Sequence, residues 1–414
     1  MSEIKKSFVP FFAKIALVIL GIGMGLSLIE LLLRADPNLV PNEVRVNPPV
    51  RRVQVYIDNM YQIKLSNGDL FHWMHGKIAP LSPEQDKVVA NIHLTTDEYG
   101  FRNMLPEKEN YDVVALGDSF TVAGNVATPW PQKMAEGTGM DVLNLGQAGT
   151  GPQEELEVLQ EYGLAKRPQW VIMAYFEGND LYDAAAYEQA NPFILPRFGK
   201  YILTQGIANW RENGEGKAQA TPNANYLYPF TVTINDTELK IAFFSSYISW
   251  LSISDEIIEP SQNFRLVRET ILQAQMLSAE AGARFLLVYI PTKAHIYLPY
   301  LNDPETLAHI FTDVPTLELD DSGFLQFTNQ RITAELAIQT LDDQTHLLAH
   351  FASDQNINYL DLTPYFQEEA GMGTELYYPF DTHWNQYGHN LAAVTIAEYI
   401  GDMLPAAENS KPDK

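Results

Sequence analysis

From Tyr111 onward, short apolar runs alternate with segments whose apolar residues recur at helical spacing. The runs that predict strands are Asp112 to Leu116, Val142 to Leu145, Trp170 to Tyr175, Arg284 to Ile290 and Asn358 to Leu360. The segments that predict helices are about Gln153 to Leu164, Leu266 to Ala281 and Gln386 to Ile400. Strands that alternate with helices form a parallel sheet, and these strands are apolar because helices cover both faces.

Two segments interrupt this alternation. Leu181 to Pro260 is rich in aromatic residues, and Phe230 to Phe244 within it alternates about Asn235-Asp236, which predicts a β-hairpin. Pro299 to about Arg331 is predicted to be loop-like. Both segments follow predicted strands, at the edge where open α/β sheets bind ligands. They are therefore candidate lids, although a packing subdomain or an oligomer contact fits the pattern equally well.

The N-terminus carries an apolar run from Ile15 to Leu33 that only Ser27 and Glu30 interrupt. With the residues just before it, this run approaches the roughly 20 residues that span a bilayer. Lysines precede it, which predicts a cytoplasmic N-terminus and an extracytoplasmic remainder. We predict an uncleaved membrane anchor; a cleaved signal peptide and a buried or interfacial helix are the alternatives.

The domain organisation follows from these patterns. We predict a cytoplasmic tip and anchor over residues 1–34 and a linker with an N-terminal extension over 35–110. One α/β domain is predicted over 111–404, with an insertion at about 181–260, followed by a flexible tail over 405–414. Near the end of the extension, Asp97 to Arg102 predicts a turn packed on the main domain.

Composition excludes several classes of function. The formal net charge of -25 over 414 residues argues against binding to nucleic acid, which needs clustered Lys and Arg. The chain has no cysteine, which excludes a thiolate nucleophile, cysteine-bound zinc and disulfides. The sequence implies no metal and no organic cofactor.

Polar motifs follow the predicted strands and precede the last helix. They are Gly117-Asp118-Ser119, Asn144-Leu145-Gly146, Gly178-Asn179-Asp180 and Asp381-Thr382-His383-Trp384. A serine hydroxyl becomes nucleophilic when a base takes its proton and an acceptor orients that base, and the last motif contains both an Asp and a His. A backbone N–H or a side-chain amide can stabilise a developing oxyanion. Because the motifs fall at one edge of the sheet, we expect a single acyl-transfer site.

Simpler interpretations of each motif remain open. Gly-Asp-Ser, Asn-Leu-Gly and Gly-Asn-Asp are common in ordinary turns. Asp381 can be a helix N-cap, or it can join His383 and His389 in a metal site, although the ligand spacing does not support a metal. We expect His389 to lie inside the last helix as a packing or surface residue.

The order of these motifs resembles the sequence blocks of the SGNH/GDSL hydrolase superfamily over roughly Tyr111 to Asp180 and Phe264 to Ile400. The resemblance implies a three-layer α/β/α sandwich with a flavodoxin-like parallel sheet. To this the chain adds an N-terminal transmembrane helix and an inserted β-containing subdomain. By the same resemblance, Ser119 is the nucleophile, His383 the base and Asp381 its orienting acceptor. The oxyanion hole then consists of the N–H groups of Ser119 and Gly146 and the amide of Asn179.

One departure from that family affects the expected function. The usual last block is Asp-x-x-His, whereas Asp381-Thr382-His383-Trp384 resembles a block of the SGNH-like O-acetyltransferases of exopolysaccharide assembly. In those proteins the block precedes the serine. We therefore expect an extracytoplasmic, membrane-anchored serine esterase acting on acyl (foremost acetyl) esters of a glycan or small molecule. An O-acyltransferase that acetylates a cell-envelope or exported polysaccharide, and a catalytically silent glycan-binding or scaffold protein, are the alternatives.

Overall fold

The computed structural model describes residues 3–35, 59–73, 81–103, 106–189 and 230–403. The chain divides into two units. One unit comprises Met1–Arg51 and Gln189–Thr221, and the other comprises Arg52–Glu188 and Pro222–Lys414. Residues 190–229 of the predicted insertion and the predicted tail lie outside the described residues, and the predicted domain boundaries stay predictions.

The helices and strands are numbered here in chain order within the described ranges. The strands are β1 (Asn59–Lys64), β2 (Val88–Leu94), β3 (Val113–Leu116), β4 (Val142–Asn144), β5 (Trp170–Phe176), β6 (Phe230–Ile234), β7 (Thr237–Ile241), β8 (Arg284–Ile290), β9 (Pro315–Leu319), β10 (Leu325–Arg331) and β11 (Asn358–Asp361). The helices are α1 (Glu3–Ala35), α2 (Asp69–Trp73), α3 (Ser119–Val122), α4 (Trp130–Thr138), α5 (Pro152–Val158), α6 (Asp180–Gln189), α7 (Ser245–Leu251), α8 (Asp255–Ile258), α9 (Gln262–Glu280), α10 (Lys293–Tyr297), α11 (Pro304–Phe311), α12 (Ala334–Gln339), α13 (Asp343–Asp354), α14 (Thr363–Gly371) and α15 (Gln386–Met403).

The first unit contains the predicted apolar helix, α1. Residues Ala16–Leu33 are long and apolar enough to cross a membrane, and most of their side chains are exposed. A signal sequence has the same length and composition. The helix is thus confirmed, and its insertion in a membrane stays a prediction.

The second unit is built on a parallel sheet with the strand order β11-β8-β5-β3-β4. All the strands predicted for this sheet are present, and the order is flavodoxin-like, as expected. Every residue of β5, the middle strand, is buried because helices cover both faces. Helices α4 and α15 pack together, and α5 packs against α9. Right-handed crossovers place these two pairs on opposite faces, which gives the predicted three layers.

Two predicted helices differ from the structure at their ends. The helix predicted from about Gln153 is α5, which ends at Val158 and continues through a π-helical turn and a 3-10 turn to Lys166. The helix predicted from Leu266 begins at Gln262 instead. It begins there because the hydroxyl of Ser261 accepts a hydrogen bond from the backbone N–H of Phe264 and caps the first turn.

The two atypical segments have different outcomes. The hairpin predicted about Asn235-Asp236 is confirmed as β6 and β7, and both turn residues have positive φ, as such tight turns require. The prediction that the stretch after Pro299 is loop-like was wrong, because it contains α11 and an antiparallel β9–β10 pair. Most residues of β10 are exposed and polar, so no apolar pattern marks that strand.

The N-terminal extension is more ordered than its composition indicated. Strands β1 and β2 pair in an antiparallel ribbon, and α2 lies between them in sequence. The predicted turn at Asp97 is confirmed: Gly100 has a positive φ, and Phe101 is buried. Arg102 follows, and its guanidinium donates to the carbonyl oxygens of Ala123 and Val126. The turn is therefore packed on the loop that follows α3.

Candidate active site

Ser119 lies at the start of α3, just after β3. Gly117 makes the exit from the strand, where its φ of 151° and the adjacent Thr121 side chain leave no room for a Cβ. The carboxylate of Asp118 accepts a hydrogen bond from the backbone N–H of Phe120 at 2.9 Å, which caps the short helix. The serine is partly exposed at the edge of the sheet.

His383 connects Ser119 with Asp381. Its Nε2 lies 2.7 Å from Oγ of Ser119, and its Nδ1 lies 2.6 Å from Oδ1 of Asp381. The same Asp381 oxygen also accepts the backbone N–H of His383 at 2.9 Å. With the Asp-x-His spacing, one oxygen of Asp381 therefore contacts both the imidazole and the backbone N–H of His383. The structure brings these three sequence-predicted residues into one hydrogen-bonded chain.

The charges around the imidazole favour its protonated form. Burial disfavours the imidazolium, but the carboxylates of Asp381, Asp69 and Asp118 outweigh burial and raise the pKa of His383 to about 9. Burial likewise acts to raise the pKa of Asp381, but the charge and hydrogen bonds of His383 hold that pKa below its usual value. These carboxylates therefore stabilise the imidazolium that forms when the imidazole takes up a proton.

Asp69, which sequence reasoning missed, adds a second carboxylate to this site. Its two oxygens accept hydrogen bonds from the backbone N–H of Thr382 at 2.9 Å and from the Thr382 hydroxyl at 2.6 Å. Its backbone N–H donates to Oδ2 of Asp381 at 3.1 Å, and its Oδ2 lies 3.7 Å from Nδ1 of His383. No local pattern marks this aspartate, because it lies 312 residues before Asp381.

His389 is not part of the cluster formed by Asp69, Asp381 and His383, although the sequence allowed it as a metal ligand. That residue lies inside α15, fully buried and edge-on to Trp384, and burial lowers its pKa to about 3. Ligand atoms of Asp69, Asp381 and His383 do lie within 4.8 Å of one another. Ligands of a tetrahedral zinc with bonds of about 2.0–2.1 Å are about 3.3 Å apart. The 2.6 Å between Nδ1 of His383 and Oδ1 of Asp381 fits a shared proton better than a shared metal.

Gly146 packs closely on the nucleophile helix. A Cβ at this position would lie 2.5 Å from the backbone nitrogen of Val122, so only glycine fits. Its N–H donates to Oδ1 of Asn144 at 2.9 Å, and Nδ2 of Asn144 donates to the carbonyl oxygen of Thr121 at 3.0 Å. The predicted oxyanion role of Gly146 stays a prediction, and it requires this N–H to exchange its partner.

Asn179 lies in the turn between β5 and α6, at the same sheet edge as Ser119, because β3 and β5 are parallel neighbours. Asp180 closes the turn by accepting the backbone N–H of Phe176 at 2.9 Å. Oδ1 of Asn179 is buried and has no hydrogen-bond partner in the described part of the chain.

A buried ion pair supports this turn from below. Glu177, fully buried, accepts hydrogen bonds from the Tyr289 hydroxyl and the Thr292 backbone N–H, and pairs with Nδ1 of His295 at 2.8 Å. The other ring nitrogen of His295 lies 3.0 Å from Asp342. Burial opposes the charge of this histidine, but the two carboxylates raise its pKa to about 10.

Further buried carboxyls lie around the nucleophile. Burial raises the pKa of Asp118 to about 6. Burial, reinforced by neighbouring acids, raises the pKa of Glu155 and of Asp180 well above the usual range. Neither carboxyl oxygen of Glu155 has a hydrogen-bond partner among the residues that the structure describes. Burial therefore disfavours the charged form of the acidic groups around Ser119.

Residues 326–414 match a known family, described as SGNH hydrolase-like domain, acetyltransferase AlgX. The chain resembles the SGNH hydrolases. The predicted resemblance is thereby confirmed, in the segment that includes Asp381 and His383. Ser119 lies outside the matched residues. No curated protein matches the chain.

Solved structures of GDSL-type hydrolases are also similar to the chain. One is described as a lipolytic protein of the G-D-S-L family from Desulfitobacterium hafniense (14% identity, 70% of this chain and 99% of that one, TM-score 0.34). Another is the lipase/acylhydrolase from Enterococcus faecalis (12%, 72% and 98%, TM-score 0.35). A third is a catalytic mutant of an acetylxylan esterase from Geobacillus stearothermophilus (12%, 71% and 96%, TM-score 0.34). The fold is defined by the chain's own strand order, β11-β8-β5-β3-β4.

Proposed function

We propose that the chain is a serine acyl-transfer enzyme that forms a covalent acyl intermediate on Ser119. The observation that carries this proposal is the chain of short hydrogen bonds from Oγ of Ser119 through His383 to Asp381. A nucleophile bonded to a base that a carboxylate orients is the arrangement that activates a serine hydroxyl. The similarity of residues 326–414 to an acetyltransferase family supports acetyl as the acyl group.

In the first half of the reaction, Oγ of Ser119 attacks the carbonyl carbon of an ester while Nε2 of His383 takes the hydroxyl proton. The tetrahedral intermediate collapses, the ester C–O bond breaks, and the leaving alcohol takes that proton from the imidazolium. Asp381 stabilises the imidazolium during both steps. The product is an acyl-serine.

The oxyanion of the intermediate needs preorganised hydrogen-bond donors. We assign one of them to the side-chain amide of Asn179, which lies at the same edge of the sheet as Ser119. The backbone N–H of Ser119 is the second donor that we propose. The N–H of Gly146 can contribute after it leaves Asn144.

In the second half, an acceptor hydroxyl gives its proton to His383 and attacks the acyl-serine, which regenerates Ser119. Water as the acceptor gives an esterase, the primary expectation from the sequence. A glycan hydroxyl gives an O-acetyltransferase, and the match to the AlgX family favours this second candidate. The apolar helix α1, inserted with its lysine-rich end in the cytoplasm, would place the enzyme on the side where exported polysaccharides occur.

The experiment uses the full chain in detergent micelles with a radiolabelled acetyl ester, with and without glycan acceptors. We expect label on Ser119 and then either on acetate alone or on the glycan. Ser119→Ala should abolish both products, whereas Ser322→Ala, at an exposed turn, should change neither. A folded parent that turns over no donor would favour the silent binding protein.

A further inference from the structure

The N-terminal extension joins the two loops that carry the candidate catalytic residues. On the nucleophile side, the Tyr61 hydroxyl donates to the carbonyl oxygen of Gly124 at 2.7 Å. On the base side, the backbone N–H of Phe71 donates to the carbonyl oxygen of Phe380 at 3.0 Å. Gly68 packs so closely on Phe380 that a Cβ would overlap its carbonyl group. Residues 59–73 are therefore packed against the site itself.

This packing places Asp69 against the loop that carries Asp381 and His383. Both of its oxygens accept from Thr382, the residue between Asp381 and His383. Its backbone N–H donates a hydrogen bond to Oδ2 of Asp381, and the imidazole contacts the other oxygen, Oδ1. Asp69 thus determines which oxygen of Asp381 faces His383.

The same residue changes the electrostatics of the base. Burial and the neighbouring Asp381 raise the pKa of Asp69, and the charge of His383 opposes that rise. Besides Asp69 and Asp381, Asp118 faces the imidazole with a carboxyl group. Two further groups are involved, the neutral His389 and the buried Lys293.

Lys293 is the cation that faces the two carboxylates from α10. Its Nζ donates to the carbonyl oxygens of Tyr378 at 2.8 Å and of Ala242 at 3.0 Å. Burial lowers its pKa to about 8, and the charges of Asp381 and Asp69 oppose that lowering. The two carboxylates can stay close because this ammonium offsets their repulsion.

We propose that Asp69 is a positioning residue for acyl transfer, so that the N-terminal extension completes the active site. The proposal rests on the proposed function. Asp69 holds Thr382 and Asp381 in place, and its charge adds to that of Asp381 in stabilising the imidazolium that forms as Ser119 attacks. A residue that served the stability of the loop alone would leave the titration of His383 unchanged.

The test measures the rate at which a fluorophosphonate labels Ser119 in the full chain, from about pH 5.5 to about pH 10. Asp69→Asn keeps an oxygen for the N–H of Thr382 but removes the charge. A nearby opposite charge raises the pKa of a cation by about 1–3 units, so its loss should move the acid limb of the profile down by about one pH unit. The rate on the plateau should fall about tenfold, because the imidazolium loses stabilisation.

A control variant distinguishes the loss of a charge next to His383 from the loss of any charge in the N-terminal extension. Asp86→Asn removes an extension aspartate that accepts the backbone N–H of Ser66 and pairs with Lys64, and it should leave the profile unchanged. If Asp69→Asn fails to fold, Thr382→Val tests the same contact, and we expect labelling several-fold slower than in the parent. Equal rates for Thr382→Val and the parent would overturn the proposal.

The outcomes distinguish this proposal from the function on which it rests. A parent that is not labelled overturns both. A labelled parent with an unshifted profile in Asp69→Asn overturns the positioning role alone. Labelling that a chelator abolishes and a divalent metal restores would also overturn it, because Asp69 would then be a metal ligand.

Discussion

Nδ1 of His295 lies 2.8 Å from a carboxylate oxygen of Glu177, and neither side chain is exposed to solvent. Glu177 immediately precedes Gly178 and Asn179, so this pair fixes the start of the turn that presents the candidate oxyanion donor. Removal of one partner from a buried ion pair leaves an unpaired charge and typically costs about 3–5 kcal/mol. The position of this turn therefore depends on the Glu177–His295 pair.

We expect His295→Gln to lower the free energy of unfolding by about 3–5 kcal/mol, because Glu177 is left buried with an uncompensated charge. Denaturant unfolding measures the effect. The double variant Glu177→Gln/His295→Gln should lose less unfolding free energy than the two single variants lose together, since it leaves no unpaired charge. A loss below about 1 kcal/mol in the single variant would contradict a charged pair.

The pH dependence of the same pair has a definite sign. Folding raises the pKa of His295 from 6.5 to about 10, so the stabilisation is complete below about pH 6.5 and is lost as pH rises through about 10. The lowered pKa of Lys293 acts in the opposite direction above about pH 8. The useful quantity is therefore the difference in unfolding free energy between the parent and the double variant. We expect it to shrink as pH rises, and a constant difference would show that His295 is neutral.

Asn179→Ala tests the proposed oxyanion donor. Loss of one such donor costs about 10²–10³ in kcat, and KM should change little because the bond strengthens only in the transition state. Steady-state kinetics with the acetyl ester measures both constants. Asn302→Ala, at an exposed loop position, is the matched control. An effect on KM alone would indicate a role in substrate binding instead.

Glu155 provides a test of the buried carboxyls. Its pKa is raised, so the folded chain keeps a proton that the unfolded chain releases above about pH 4.5, and its contribution to stability falls as pH rises. Glu155→Gln should therefore stabilise the fold more at about pH 8 than at about pH 5, by at least about 1 kcal/mol. Thermal unfolding of the parent, this variant and the exposed control Glu161→Gln measures the difference. An equal effect at both pH values would show an ionised Glu155.

The sheet and much of the candidate site could be predicted from the sequence. Strands β3, β5 and β8 are nearly continuous apolar runs. Such runs are typical of a parallel sheet that helices cover on both faces. Ser119 and Asn179 could be placed together because they follow parallel neighbouring strands. His383 could be added because a serine nucleophile needs a base.

The other parts of the site leave no such pattern. Asp69 lies in a polar extension, and only its tertiary contacts with Thr382 distinguish it from the other aspartates. Glu177 directly precedes the motif Gly178-Asn179-Asp180, but no local pattern links it to its partner His295, which lies 118 positions later in α10. The exposed strand β10 shows the same limit, since polar strands lack the alternation by which strands are recognised.

The most direct test of the account is to locate the adduct that a fluorophosphonate forms with the full chain. Peptide mass spectrometry of the parent and of Ser119→Ala identifies the modified residue. We expect one adduct, on Ser119, that forms much more slowly in His383→Gln and not at all in Ser119→Ala. A folded parent without an adduct, or an adduct on another serine that persists in Ser119→Ala, would contradict an activated Ser119.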